Sequence, residues 1–231
     1  MTEPGQWGGP QPIPRPEEWR PGPKATWASL DPRDLADLDA VTDRLRRHTA
    51  GEMLRGPAVR RPQKQGRKSA VLIALYPGKS GATMILTRRP KHMRKHAGEI
   101  AFPGGAVDEQ DESLWHTALR EAEEEVALDP QLPEHVVDLD RFVTGASFSL
   151  VQPIVARLPE RPDLVASPDE VDRIIETPLR ELLGPDVYRS EEWYWQDQWM
   201  PMHFFALAGE TVWGATALMI HHLLEVVARS G

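Results

Sequence analysis

The stretch from Ser113 to Val126 constrains this chain more than any other: it reads as a helix with two unlike faces. Ser113 can cap it, and Leu114, Ala118, Ala122 and Val126 recur at the i, i+4 spacing of an apolar stripe. On the adjoining arc Glu121, Glu124 and Glu125 fall together, spread over roughly 100° of the helical wheel. Like charges at this spacing cost on the order of 0.2–0.5 kcal/mol per pair. A helix selected for stability alone would carry Lys or Arg at one of these positions. Two readings compete. One is a solvated acidic face, since Glu is a good helix former. The other is a cation site, in which hard carboxylate oxygens hold Mg2+ or Mn2+.

The residues around the helix favour the cation. Arg120 precedes the acids and can tie one down through its planar fork. Upstream, Phe102-Pro103-Gly104-Gly105 can turn sharply, approach a metal or phosphate closely and offer a carbonyl as a further ligand.

A chain of 231 residues suits one domain plus an extension, or two small domains, and 40% hydrophobic residues suffice for a packed core. The absence of cysteine removes disulfides, thiolate metal sites and cysteine nucleophiles, and it is compatible with a cytoplasmic location. No apolar run approaches the length of a membrane span, and the N-terminus does not read as a secretory signal. A net charge of −8 argues against general nucleic-acid affinity. Yet Met53 to Gly98 holds twelve Lys or Arg and no acid. Such a block is either a solvated basic loop or a means of steering a small polyanion.

Residues 1–28, with seven prolines before position 24, are expected to be a flexible extension without regular structure, although Trp7, Trp19 and Trp27 could dock on the body. Residues 29–67 read as an amphipathic helix followed by a basic linker. Asp31-Pro32 starts the helix, Leu35, Leu38, Val41 and Leu45 give its apolar face, and Gly51 ends it. Residues 68–231 form the main domain. Strands are expected at 70–76, 83–87, 141–144, 152–156, 193–195 and 203–207, a short extended approach at 99–102, a helix at 178–183 and a final helix at 215–229. Strands interleaved with helices predict an α/β or α+β sandwich.

These residues resemble the Nudix box, which runs Gly, five residues, Glu, seven residues, then Arg-Glu-apolar-any-Glu-Glu-any-Gly-apolar. Gly105 starts it, and Arg120, Glu121, Ala122, Glu124, Glu125 and Leu128 fill the later positions. Ala127 stands where Gly is usual, and the loop from Gly105 to Glu112 is one residue longer than the general pattern, which bears on the roles of Asp111 and Glu112. The stretch from Leu86 to Gly105 is similar to the coenzyme A motif of the CoA diphosphatases, matching at Leu86, Thr87, Arg89, Arg94, Gly98 and Phe102-Pro103-Gly104-Gly105, with Pro90 in place of a small residue. The resemblance spans roughly residues 68–229.

It implies a Nudix α/β/α sandwich around a mixed sheet, with Mg2+ or Mn2+ as cofactor. The reaction it implies is hydrolysis of CoA and its thioesters to 3′,5′-ADP and 4′-phosphopantetheine or the acyl form. Glu121, Glu124, Glu125 and Gly105 become the metal site, with Arg120 beside them; Arg89, Arg94, Gly98, Phe102, Gly104 and Gly105 become the substrate site. Arg89 and Arg94 are the natural cations for the 3′-phosphate. The implied partner is a small nucleotide, CoA or a derivative, with no nucleic acid and no membrane; a homodimer is compatible with the sequence.

The water proton could pass to Glu121, to Glu125, or to Glu170 in the loop Ser167-Pro168-Asp169-Glu170, where an acid is equally explained as a helix-start residue. His92, His96, His203, His221 and His222 show no metal-ligand spacing, and the last two read as packing or surface residues. Trp193, Trp195, Trp199 and Trp213 could stack on adenine, though core packing explains most of them. Two other functions are retained: a pyrophosphatase acting on ADP-ribose or NADH, and a silent domain that binds a nucleotide as a regulator.

Overall fold

The computed structural model describes residues 9, 11, 13–51, 53–54, 66–93, 96–144, 148–195 and 197–230. In chain order its elements are β1 (Trp19–Pro21), a 3-10 turn (Pro32–Leu35), α1 (Leu38–Arg46), β2 (Lys68–Gly78), β3 (Gly81–Arg88), β4 (Ile100–Ala101), β5 (Gly104–Ala106), α2 (Leu114–Val126), β6 (Glu134–Asp138), β7 (Phe142–Val143), β8 (Leu150–Arg157), β9 (Arg173–Pro178), a second 3-10 turn (Leu179–Leu183), β10 (Tyr188–Trp195), β11 (Gln198–Leu207), β12 (Glu210–Trp213) and α3 (Gly214–Arg229).

The larger sheet is mixed. β4, β3, β2, β8 and β6 lie side by side, β2 and β8 run parallel, and the other pairs are antiparallel; β5 joins β2, β7 joins β8 and β9 joins β3. Strand periodicity divides its side chains between two cores. Along β2, Ala70, Leu72, Ala74 and Tyr76 point to one face, where Ala118, Ala122 and Val126 of α2 cover them. Ile73 and Leu75 point to the other, where they join Leu38, Val41 and Leu45 of α1 and Leu223, Leu224 and Val227 of α3. Burial on both faces explains why β2 and β8 are near-continuous apolar runs. The result is a mixed sheet between helical layers, with a second sheet of order β1-β10-β11-β12 beside α3.

The expected strands at 70–76, 83–87, 152–156 and 203–207 all form, each somewhat longer. The expected helix at 178–183 is a 3-10 turn over Leu179–Leu183, with Pro178 ending β9, and the expected helix from Asp31 breaks in two. Asp31 caps the turn Pro32–Leu35, and Asp37 then caps α1 afresh by accepting from the Asp39 N–H at 3.0 Å. This second start brings Leu35, Leu38, Val41 and Leu45 all into the core. Most of the expected basic linker lies outside the described residues, as does Trp7.

Within the N-terminal segment expected to lack regular structure, a short strand forms at Trp19–Pro21, while residues 1–8, 10 and 12 lie outside the described residues. β1 pairs antiparallel with β10, setting Trp19 opposite Trp193, Arg20 opposite Glu192 and Pro21 opposite Glu191. Trp27 is 2% exposed and meets Tyr188 and His221 edge-on at 4.7 and 4.8 Å between ring centroids. Proline density reports poor intrinsic propensity; here an existing sheet edge supplies the hydrogen bonds, and Pro21 sits at the strand's end, where a missing N–H matters least. Among the described residues no helix is long and apolar enough to cross a membrane.

Candidate active site

Helix α2 starts where Ser113 accepts from the His116 N–H at 3.1 Å. It ends at Ala127, which takes the left-handed conformation (φ 54°) that glycine fills most cheaply. The loop after Leu164 lies across this end: Val165 N–H donates to the Val126 carbonyl and Ser167 N–H to that of Glu125, satisfying groups the helix leaves open. The same loop brings Glu170 into the electrostatic field of Glu121 and Glu125.

Beneath the acidic face runs the glycine turn. Gly104 lies so close to β2 that a Cβ there would enter the Ala70 carbonyl, and Pro103 accepts from the Leu72 N–H at 2.9 Å. Gly105 faces the Glu121 carboxylate, with no room for a side chain between them.

Arg120 organises the acids. Its Nε donates to Asp111 Oδ1 at 3.0 Å; its terminal nitrogens donate to Asp111 Oδ2 at 3.1 Å, Glu121 Oε1 at 3.0 Å, Glu124 Oε2 at 3.0 Å and the Ala106 carbonyl at 3.2 Å. Asp111 also accepts from the Thr117 hydroxyl and the Asp108 N–H. Arg120 holds the Asp111 carboxyl well below the usual carboxylate range. Asp111 is thus the anchor that aims Arg120, a role that the extra residue in its loop hides from a motif reading.

Glu125 has no such support. Burial pushes it up to about 8 against the pull of Arg89; Glu121 and Glu170 add to the rise, while a hydrogen bond from the Gly104 backbone opposes it. Burial also raises Glu121 despite Arg120. An oxygen-only donor set at a glycine that cannot accept a Cβ suits a hard divalent cation, and Glu121, Glu124, Glu125 and the Gly105 carbonyl are the groups that could hold it.

Arg88 and Arg89, adjacent at the end of β3, have opposite fates. Arg88 is committed to Asp172 at 2.6 Å and to the buried Glu210 at 2.5 Å. The buried Arg89 Nε makes no hydrogen bond, and its charge acts on Glu125. Its backbone is fixed by a closed loop: Arg89 N–H donates to the Glu99 carbonyl at 3.0 Å and Gly98 N–H to that of Arg89 at 3.2 Å, with Gly98 at φ +71°.

Phe102, expected among the substrate residues, lies in the core. It is 2% exposed and packed in the main core, so its part is to hold the turn from below. Arg94 lies outside the described residues. Trp193 is buried, whereas Trp195 and Trp199 are exposed at the β10–β11 hairpin end, where Arg20 lies over the Trp199 ring.

Among the described residues, the one group of three His, Asp or Glu ligand atoms all within 4.8 Å of one another is not here; it is His48, Asp140 and His222.

A mixed sheet carrying an acid-rich helix over a glycine turn is the layout that the resemblance to the Nudix box implies. Residues 66–207 match the family model described as NUDIX domain, and the chain belongs to the Nudix family. It is 37% identical over 171 residues to an uncharacterized Nudix hydrolase, NudL, of Photorhabdus laumondii subsp. laumondii, a match covering 74% of this chain and 90% of that protein. It is 38% identical over 162 residues to the uncharacterized NudL of Yersinia pestis (strain Pestoides F), covering 70% and 80%. Among solved structures it is similar to the Nudix hydrolase RenU from M. smegmatis, with 18% identity, 52% of this chain and 78% of that chain covered, and a TM-score of 0.43. The protein is accordingly a hydrolase acting on phosphoric anhydrides.

Proposed function

We propose that this hydrolase cuts the diphosphate of coenzyme A and its thioesters, releasing 3′,5′-ADP and 4′-phosphopantetheine or its acyl form. The observation that carries this reading is Arg89. It is a buried guanidinium nitrogen without a hydrogen bond, set beside the acidic helix and inside the stretch that resembles the coenzyme A motif. Its neighbour Arg88 is already neutralised. A diphosphate bearing one more phosphate, as CoA does, needs a cation beyond those that serve the bond being cut, and Arg89 is unspent. Arg94 joins it in this assignment.

Glu121, Glu124, Glu125 and the Gly105 carbonyl are assigned to Mg2+ or Mn2+. Such a cation, when bound, neutralises diphosphate charge and lowers the proton affinity of a bound water. Arg120 fixes the carboxylates before substrate arrives, so little reorganisation is left for the reaction itself. Glu121, Glu125 and Glu170 share one field and are the three candidates to take the water proton.

The test is a substrate panel with the purified full chain and Mg2+ or Mn2+: CoA, acetyl-CoA, ADP-ribose and NADH, with products separated by ion exchange and identified by mass. Release of 3′,5′-ADP from CoA is expected. Turnover of ADP-ribose or NADH without CoA would move the chain to another substrate class. Unchanged activity in Glu124→Gln would refute the assigned metal site.

A further inference from the structure

We propose that His48, Asp140 and His222 form a second metal site, which takes a divalent transition ion of the zinc class and fastens the segment after α1 to α3. The three residues come from distant parts of the chain: just beyond α1, the turn between β6 and β7, and the middle of α3. Their ligand atoms all lie within 4.8 Å of one another. His222 Nε2 is 3.1 Å from Asp140 Oδ2, and His48 Nε2 is 3.6 Å from Asp140 Oδ1. A tetrahedral ion with bonds of about 2.0–2.1 Å sets its ligand atoms about 3.3–3.4 Å apart; the two imidazoles stand at comparable separations, one from each Asp140 oxygen, so a small rotation of the carboxylate would present one oxygen to both.

Hydrogen bonding alone does not satisfy this cluster. His48 Nε2 is buried with no hydrogen-bond partner. His222 Nε2 faces the Asp140 backbone N–H at 3.4 Å and the Asp140 carboxylate at 3.1 Å. If Nε2 is bare, its lone pair meets a carboxylate oxygen; if it is protonated, its hydrogen meets an N–H. A cation between the two imidazoles and the carboxylate removes the conflict.

An outer partner is in place as well: Gly51 N–H donates to Asp140 Oδ1 at 2.5 Å, which orients the carboxylate as outer contacts of metal ligands do.

The donors set this site apart from the glutamates of α2. Two imidazoles and a carboxylate suit zinc-class ions, whereas Mg2+ takes oxygen ligands. The location differs too: α1 and α3 belong to the core on one face of the large sheet, α2 to the core on the other. His48 and His222 both lie outside the matched residues 66–207, so the site would join the two flanks of the catalytic domain.

The full chain, stripped with chelator and offered one equivalent of Zn2+ or Co2+, tests this. Expected are one ion retained per chain through gel filtration, tetrahedral Co2+ bands in the visible spectrum, and a rise in Tm with Zn2+. The Glu121→Gln/Glu124→Gln/Glu125→Gln chain should keep all three. His48→Gln and Asp140→Asn, checked as folded by circular dichroism, should lose them, with affinity down about 100-fold or more, since even outer-partner changes cost 10–100-fold. No retained ion in the wild-type chain would overturn the proposal. So would retention that persists in both His48→Gln and Asp140→Asn, or that disappears in the triple Gln chain.

Discussion

The Glu121 carboxylate occupies the volume that a side chain at residue 105 would need. Helix and turn are therefore fitted to each other through a missing Cβ. Gly105→Ala must displace Glu121, loosen its 3.0 Å bond from Arg120 and shift the carboxylate cluster. Misplacement by about 1 Å costs on the order of 100-fold in rate. Steady-state kinetics should show that loss in kcat, with the circular dichroism spectrum unchanged. Wild-type kcat in this variant would show that the contact is dispensable.

The acidic pocket makes metal-free stability depend on pH. Glu125 titrates at about 8 when folded and near 4.5 in the unfolded chain, so the folded state holds its proton more tightly. Its contribution is complete below about pH 4.5 and disappears as pH rises through 8, a loss on the order of a few kcal/mol. In chelator, Tm should fall across that window more steeply for wild type than for Glu125→Gln. Mg2+ or Mn2+ should recover most of the difference at pH 8. Parallel curves for the two chains would contradict the burial argument.

Arg88 and Arg89 should separate stability from substrate binding. Arg88→Ala leaves Glu210, whose side chain is 4% exposed, short of its main cation and should cost about 1–3 kcal/mol in urea unfolding. Gln11 still donates to Glu210 at 2.5 Å, which limits the damage. Arg89→Ala removes a group with no hydrogen bond to lose at Nε; it should leave the unfolding midpoint nearly unchanged and raise KM for CoA more than for 3′-dephospho-CoA. Equal effects on both substrates would detach Arg89 from the 3′-phosphate.

Trp27 should behave as a core residue despite its proline-rich surroundings. It packs against Tyr188, Phe205 and His221. Trp27→Ala should cost roughly 3–5 kcal/mol, read as a lower denaturant midpoint. A change under about 1 kcal/mol, within the surface range, would mean that the segment is only loosely attached.

Ala127 offers a change in the opposite direction. At φ 54° an alanine carries left-handed strain that glycine does not. Ala127→Gly should stabilise the chain by up to about 1 kcal/mol with activity retained. A lower midpoint would mean that the loss of unfolded-state restriction outweighs the strain.

What could be read from the sequence was whatever repeats over a few residues. α2, its cap and its arc of glutamates follow from local spacing, as do the apolar strands β2, β3 and β8. Residues whose partners are remote gave no such signal. Glu134–Asp138 and Arg173–Pro178 are polar enough to pass for loops, and become strands because β8 and β3 offer them an edge. Nothing in Arg88-Arg89 says which guanidinium is committed, since Asp172 and Glu210 come from other elements. Phe102 matched a substrate motif, yet a large apolar side chain beside a buried strand goes to the core. His222 looked like packing because its companions, His48 and Asp140, meet it only after folding.

The three residues of β1 have a consequence beyond attachment. β10 carries Trp193, Tyr194 and Trp195 in succession, and without β1 its outer backbone would lie open beside them. An unpaired, aromatic strand edge is a template for pairing with another molecule. The short cover from Trp19 to Pro21 ends in a proline, which cannot extend the ladder outward. β1 thus covers an edge open to self-association, and a preparation clipped after Pro21, which spares Trp27, should show aggregation before any loss of turnover.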